Sequence, residues 1–183
     1  MWATLAPVPY HHGDLRRALL HAALDAVTEH GPAGLSLRDV ARRAGVSHAA
    51  PAHHFGDKAG LLTALAAEGW DLLVEALRAR GGDFRDQGVA YVLFATGHPA
   101  HFAVMRAPGL TREDDPALVA ARRRADAALR AGAASADPDP ATALAGWALV
   151  HGLSALLLEG SVRPGPGEDV AALARAVTGR LVG

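Results

Sequence analysis

Ten histidines and no cysteine set the first limits on the chemistry open to this 183-residue chain. Without cysteine there is no disulfide, no thiolate zinc site and no thiol nucleophile. His98-Pro99-Ala100-His101 puts two imidazoles near one helix start, and His151 adds a third in the sequence. No carboxylates cluster with them. A histidine before a proline-opened helix is more often a cap or a solvent-facing group, and one on an apolar helix more often a satisfied core residue, so neither a metal nor a cofactor is expected. Gly152-Leu153-Ser154 lacks the second glycine of a nucleophile elbow, and the chain has no glycine-rich phosphate loop, no HExxH and no paired carboxylates. No catalytic residues emerge, and the chain reads as a non-enzyme.

The segment that does carry chemistry is Leu37-Arg38-Asp39-Val40-Ala41-Arg42-Arg43-Ala44-Gly45-Val46-Ser47-His48-Ala49-Ala50-Pro51. Ser36 followed by Asp39 resembles a capping box, whose hydroxyl and carboxylate can satisfy free amides at a helix start. Gly45 stops that helix after two turns, and Ser47 can cap another almost at once. Ala41 and Ala44 are small where the two helices must cross, and Val40 and Val46 lock the pair apolar side inward. This is helix-turn-helix chemistry, with the second helix of the pair offering side chains to a major groove. Arg38, Arg42 and Arg43 lie off the apolar face; Arg42 and Arg43 read as a solvated helix surface rather than base readers.

The elements around this segment are helical throughout. Ala, Leu and Arg dominate, and apolar residues recur at spacings of three and four. A first helix is predicted over 14–30, with Leu15, Ala18, Leu19, Ala22, Ala26 and Val27 on one face and Gly31 as its stop. Gly56-Asp57 recaps the chain for a long helix over 58–80. Beyond Gly81-Gly82, punctuation at His98-Pro99, Pro108-Gly109, Asp115-Pro116, Asp139-Pro140 and Pro164–Gly167 predicts helices near 86–97, 99–106, 116–131, 140–159 and 168–182. The expectation is an all-α chain of about nine helices: residues 1–57 as an N-terminal arm and helix-turn-helix three-helix bundle, residues 58–183 as a C-terminal helical domain.

At Leu35-Ser36-Leu37 through Phe55-Gly56-Asp57-Lys58-Ala59-Gly60-Leu61-Leu62 the sequence resembles the N-terminal signature of TetR-type transcriptional regulators. Tyr10-His11-His12-Gly13-Asp14-Leu15 and His48-Ala49-Ala50-Pro51 further resemble the subgroup whose C-terminal domain is named for a Trp-His-Gly motif, matched by Trp147, His151 and Gly152. The resemblance implies a ligand-responsive repressor that acts as a homodimer on a palindromic operator in double-stranded DNA, and it assigns ligand binding and dimerisation to the helical domain of residues 58–183. It implies that Ser47, His48, Ala49 and His53 lie at the DNA face, with Lys58 on a phosphate and Arg38 a further backbone contact. Two departures stand out: Ala52, where the family usually has a phosphate-contacting tyrosine, and His53, where the subgroup suggests arginine. With Ala49, Ala50 and Ala52 on the recognition helix, readout falls to His48, His53 and alanine contacts to thymine methyls. Specificity is then modest or shape-based, or DNA reading has been lost.

Trp70, Tyr91, Phe94, Phe102, Met105 and Trp147 concentrate the large adaptable side chains of residues 61–183. Phe94 and Trp70 taken singly read as core. The expected effector contacts are Tyr91, His98, Phe102, Met105, Trp147 and His151; Trp147 precedes His151 by one helical turn and shares its face. The helix over 140–159 is apolar nearly all round and must be covered on both sides; the family resemblance implies that it pairs, with the last helix, across a homodimer.

Net charge is -1, but residues 1–60 hold six Lys/Arg against five Asp/Glu and seven histidines, so only this part suits an anionic partner. Met1–Tyr10, interrupted by Pro7 and Pro9, shows no signal-peptide core. No apolar run of 18 residues escapes charge and helix breakers, so no membrane is expected and the location is expected to be cytoplasmic.

Overall fold

The computed structural model describes residues 12–81, 83–136 and 139–180. Among them nine helices follow in order, and the fold is all-α: α1 (His12–Gly34), α2 (Leu37–Arg43), α3 (Ala50–Phe55), α4 (Lys58–Arg80), α5 (Phe84–Gly97), α6 (Pro99–Met105), α7 (Pro116–Ala136), α8 (Pro140–Leu158) and α9 (Val170–Thr178). Tyr10 and His11 of the N-terminal arm and Leu181 lie outside the described residues.

Aspartates open most of the later helices, as the Asp-Pro spacing predicts. Asp115 Oδ1 accepts from the amides of Ala117 and Leu118, Asp139 from that of Ala141, and Asp83 from those of Arg85 and Asp86. Each bond satisfies an amide that the first helical turn leaves without a carbonyl. In α1 the regular helix breaks at Gly31 (φ 68°), one residue past the predicted end, and Pro32 carries the chain on to Gly34.

Two expected caps are not made. Ser36 has extended N-cap geometry, yet its hydroxyl makes no capping bond, and Asp39 turns to arginines instead of back to the helix start. Ser47 does not cap α3: its backbone carbonyl takes the Ala50 amide at 3.0 Å in a preceding turn, and the N-cap is Ala49, with no side-chain bond. Pro51, in the first turn of α3, has no amide to satisfy. The α2–α3 corner is closed by backbone, the Val46 amide reaching the Ala41 carbonyl at 3.0 Å, and Gly45 (φ 67°) takes the left-handed conformation that a side chain resists.

The interior divides into two cores. Leu19, Ala23, Ala26 and Val27 of α1, Val40 of α2 and Phe55 of α3 pack with Leu61, Leu62, Leu65 and Ala66 of α4, and Ala100 and Val104 of α6 and Leu118 of α7 join them. The second core gathers Leu73, Val74 and Leu77 of α4 with much of α5, Phe102, Val150, Leu153 and Ala174. Trp70, halfway along α4, packs against both. The packing boundary therefore crosses α4 at Trp70, beyond the functional division expected at Asp57, because α4 is one uninterrupted helix that each core uses in turn.

α8 runs unbroken from Pro140 to Leu158, as the single helix predicted over 140–159, but it overturns the expectation that no 18-residue apolar run escapes charge and helix breakers. Ala141–Leu158 is consequently an 18-residue apolar stretch, long and apolar enough to cross a bilayer by length and composition. Only 22% of it is buried, with Leu144 63% and Trp147 45% exposed.

Candidate nucleic-acid interface and ligand groove

The helix-turn-helix is braced by charge from beneath. Arg43, only 18% exposed at its side chain, holds both oxygens of Glu29 on α1 at 2.6 and 2.7 Å, while its Nε reaches Asp39 at 2.6 Å. Arg42 takes the other Asp39 oxygen at 2.6 Å. These bonds hold the Glu29 and Asp39 carboxyls below their usual range and raise the Arg43 guanidinium. Arg43 thus clamps α2 to α1 and is not the solvated residue expected from sequence. Arg16 adds a second tie, its guanidinium 5.2 Å over the Phe55 ring.

The opposite side of this unit faces outward. Arg38, Ser47, His48, Ala49, Ala52 and His53 are all exposed, and the His53 and His54 rings meet edge to face at 5.6 Å. Lys58 is half-buried, and its ammonium donates to the Ala33 carbonyl at 2.5 Å, tying the start of α4 to the end of α1. Two further N–H donors remain on that ammonium.

The α3–α4 corner is tight. Asp57 caps α4 through Oδ1, which takes the Gly60 amide at 2.8 Å, and its Oδ2 takes Arg112 Nη2 at 3.0 Å. The capping bond, with Arg112 second, holds the Asp57 carboxyl low. A Cβ on Gly60 would stand 1.9 Å from the Phe55 carbonyl oxygen, so only glycine lets α3 end this close to α4. Arg112 belongs to the α6–α7 loop and is held there by its own amide, which donates to Thr63 Oγ1 at 2.8 Å. Sequence reasoning missed Arg112 because nothing local relates it to Asp57.

In the second half of the molecule a groove of about 460 Å³ opens between α4, α5, α7 and α8. Trp70, Phe84, Tyr91 and Trp147 supply aromatic walls, and Arg122, Asp126 and Arg130 stand along one face of α7. Of the six expected contacts, Tyr91 and Trp147 line this groove. His151 stands against both: its Nδ1 is 2.9 Å from the Tyr91 hydroxyl, and its ring is 5.1 Å from that of Trp147. Phe102 packs against the His151 ring at 5.6 Å but is not on the lining. Met105 lies against Gly69 where α6 crosses α4, and His98 stacks on Phe94 at 5.4 Å, so neither is brought to the groove. Burial pushes the Tyr91 phenol up to about 12 and, with Arg106, lowers His151. Burial, with His101 beside it, also lowers His98.

Sequence reasoning passed over Phe84, Gln87 and the α7 residues, and placed Trp70 in the core. Arg122, Asp126 and Arg130 recur at four-residue spacing, which marks one helix face but not what that face meets. Trp70 Nε1 and Gln87 Oε1 are buried without hydrogen-bond partners, as is His101 Nε2, which lies 3.6 Å from Glu68 Oε1. Among the described residues no group of three or more His, Cys, Asp or Glu is arranged to hold a metal ion.

Residues 19–65 match the family model of bacterial regulatory proteins of the tetR family, and residues 84–181, more than half of the chain, match the tetracyclin repressor-like C-terminal domain. The HTH-type transcriptional regulator BetI of Agrobacterium fabrum is 37% identical over 82 residues, which are 45% of this chain and only 34% of that relative's length. A solved structure of a protein of unknown function from Rhodococcus sp. RHA1 is 35% identical with a TM-score of 0.71, covering 96% of this chain and 99% of the other. The multidrug binding protein EbrR, solved in complex with imidazole, is 27% identical with a TM-score of 0.59, covering 98% of each chain.

Proposed function

Because the chain belongs to the TetR family of bacterial regulatory proteins, we propose that it is a ligand-responsive repressor that binds a palindromic operator as a homodimer. Residues 1–57 read DNA, and residues 58–183 bind the effector and dimerise. The observation that carries this reading is the outward set Ser47, His48, Ala49 and His53, displayed on a helix-turn-helix whose inner side is clamped by Arg43. Ser47 and His48 precede the first turn of α3, where side chains of a recognition helix meet base edges. Arg38 and the spare donors of Lys58 serve phosphates, which position the protein without specifying sequence.

The open face of α8 supports the dimer. Leu144, Trp147, Leu156 and Leu158 are large apolar groups left in water by one chain alone, and a twofold axis lets two copies cover each other. α9 flanks this helix and completes the four-helix contact. Trp147, His151 and Gly152 support a reading of the chain as one of the Trp-His-Gly subgroup.

The groove is the effector site. Its volume and largely aromatic wall suit a small organic molecule, and a relative of the same fold is a multidrug binding protein. Tyr91 and Trp147 touch the effector, His151 acts through its bond to Tyr91, and Phe102 backs that pair. The site of action is the cytoplasm, where DNA is.

The test is selection of bound sequences from a random duplex pool at two salt concentrations, with His48→Ala alongside. The expected result is a palindromic site, enriched at both salts and lost in the variant, with overall affinity falling as salt rises. Failure of the folded dimer to enrich any sequence would show that the alanine-rich recognition helix no longer reads DNA.

A further inference from the structure

We infer that the groove takes an aromatic carboxylate, and that the acid signals by drawing Arg122 away from Glu113. The inference rests on the reading of the groove as the effector site and adds the chemistry of the effector and the route of its signal.

Four aromatic rings on the lining suit a flat apolar body. The charges decide the rest. Asp126 and Arg130 neutralise each other, Arg130 Nε standing 2.9 Å from both Asp126 oxygens. Arg122 also lines the groove, but its partner Glu113 is not on the lining; it sits in the α6–α7 loop with a half-exposed side chain. Among the described residues, Arg122 is therefore the one charge on the lining whose partner stands outside it, and a ligand can claim it only in exchange for Glu113. A carboxylate entering a largely apolar groove must exchange water for a charged donor, and a guanidinium offers a planar, bidentate one.

Glu113 connects this arginine to the DNA-reading head. One Glu113 oxygen accepts from Arg122 Nη1, and the other accepts from Thr111 Oγ1 at 2.5 Å. The neighbouring Arg112 donates through its amide to Thr63 on α4 and through its guanidinium to Asp57, the residue between α3 and α4. A chain of contacts thus runs from the groove to the α3–α4 corner: Arg122, Glu113, Thr111, Arg112 and Asp57. A ligand carboxylate and Glu113 compete for one guanidinium. When the ligand prevails, the loop loses its ion pair to α7, and only the amide bond to Thr63 is left to hold Arg112 beside Asp57.

The test uses the full chain with 2-naphthoate and 2-naphthamide as probes, followed by tryptophan fluorescence and by retention on DNA. Wild type should bind the acid more tightly than the amide by about tenfold or more, the scale of one charge-assisted hydrogen bond. Arg122→Gln should abolish that preference. Glu113→Gln should tighten acid binding by removing the competitor, while its DNA retention becomes insensitive to the acid. Equal binding of acid and amide, or a preference that survives Arg122→Gln, overturns the anionic assignment and leaves the groove as a site for neutral ligands. Acid binding that weakens in Glu113→Gln, or DNA retention that still responds to acid there, overturns the relay. If neither probe binds wild type, the assignment of the groove as effector site falls with the rest.

Discussion

Replacing Gly60 with alanine tests how firmly the DNA-reading helix is seated. The added Cβ would lie 1.9 Å from the Phe55 carbonyl oxygen and 3.1 Å from its carbon. A tolerable carbon–oxygen contact is about 3.3 Å, so the end of α3 must retreat by roughly 1.4 Å. The obstruction is backbone and cannot swing aside. Overpacking costs about 1–3 kcal/mol, and a rigid obstacle puts this case at the upper end. Alanine recovers about 1 kcal/mol through its better helix propensity. The net loss is about 2 kcal/mol, which for a chain of this size lowers Tm by about 4–8 °C. Gly97→Ala, whose Cβ meets nothing within 4 Å, is the control and should leave Tm unchanged or slightly raised. Operator affinity should fall as well, since a shift of this size breaks at least one base contact worth about 1–3 kcal/mol, or about 5- to 150-fold. Thermal unfolding by circular dichroism and equilibrium DNA titration read the two effects. A Gly60→Ala protein with undiminished Tm and full DNA affinity would refute the argument that α3 is held against the α4 backbone.

Leu144→Arg combined with Leu156→Arg should convert a dimer into a folded monomer in sedimentation equilibrium and make Tm independent of protein concentration; a persistent dimer would move the interface off α8. Stability should also fall in two separate pH windows. His98 and His151 are lowered below 6.5, so the unfolded chain protonates first, and stability present above about 6.5 is lost as pH falls toward the folded values. Glu29, Asp39, Asp57 and Glu113 are lowered from 4.5 or 3.8, so their contribution persists above those values and is lost only in stronger acid. Urea titrations at about pH 7.5, 5.5 and 2.5 separate the windows, and His98→Asn with His151→Gln should erase the first; a loss between the two higher pH values that survives both substitutions would assign it elsewhere.

Much of the helical order was legible because its signals are local. Asp115-Pro116 and Asp139-Pro140 announce α7 and α8 through side-chain bonds that span only two or three residues. Gly45 marks the α2–α3 turn for an equally local reason, its positive φ. The start of α3 was harder to read, since the turn at Ser47–Ala50 is closed by a backbone bond and leaves no side-chain cap. The groove was half legible. Tyr91 and Trp147 stand out as aromatics, but Phe102 and Met105 have the same character and turn into other contacts. Arg122 was illegible because its role depends on which helix faces α7, information that only tertiary packing supplies.

The two cores that share α4 also define a lever. Near Trp70 the helix passes from one rigid bed to the other, and about 18 Å of α-helix at 1.5 Å per residue separates that point from Lys58. With Trp70 as fulcrum, a tilt of about 5° between the beds swings Lys58 through about 1.6 Å. Because α3 is seated against the start of α4, it travels with that arm. A change in the second core too small to alter any helix's internal hydrogen bonding therefore reaches the DNA-reading surface as a displacement comparable to half a hydrogen-bond length.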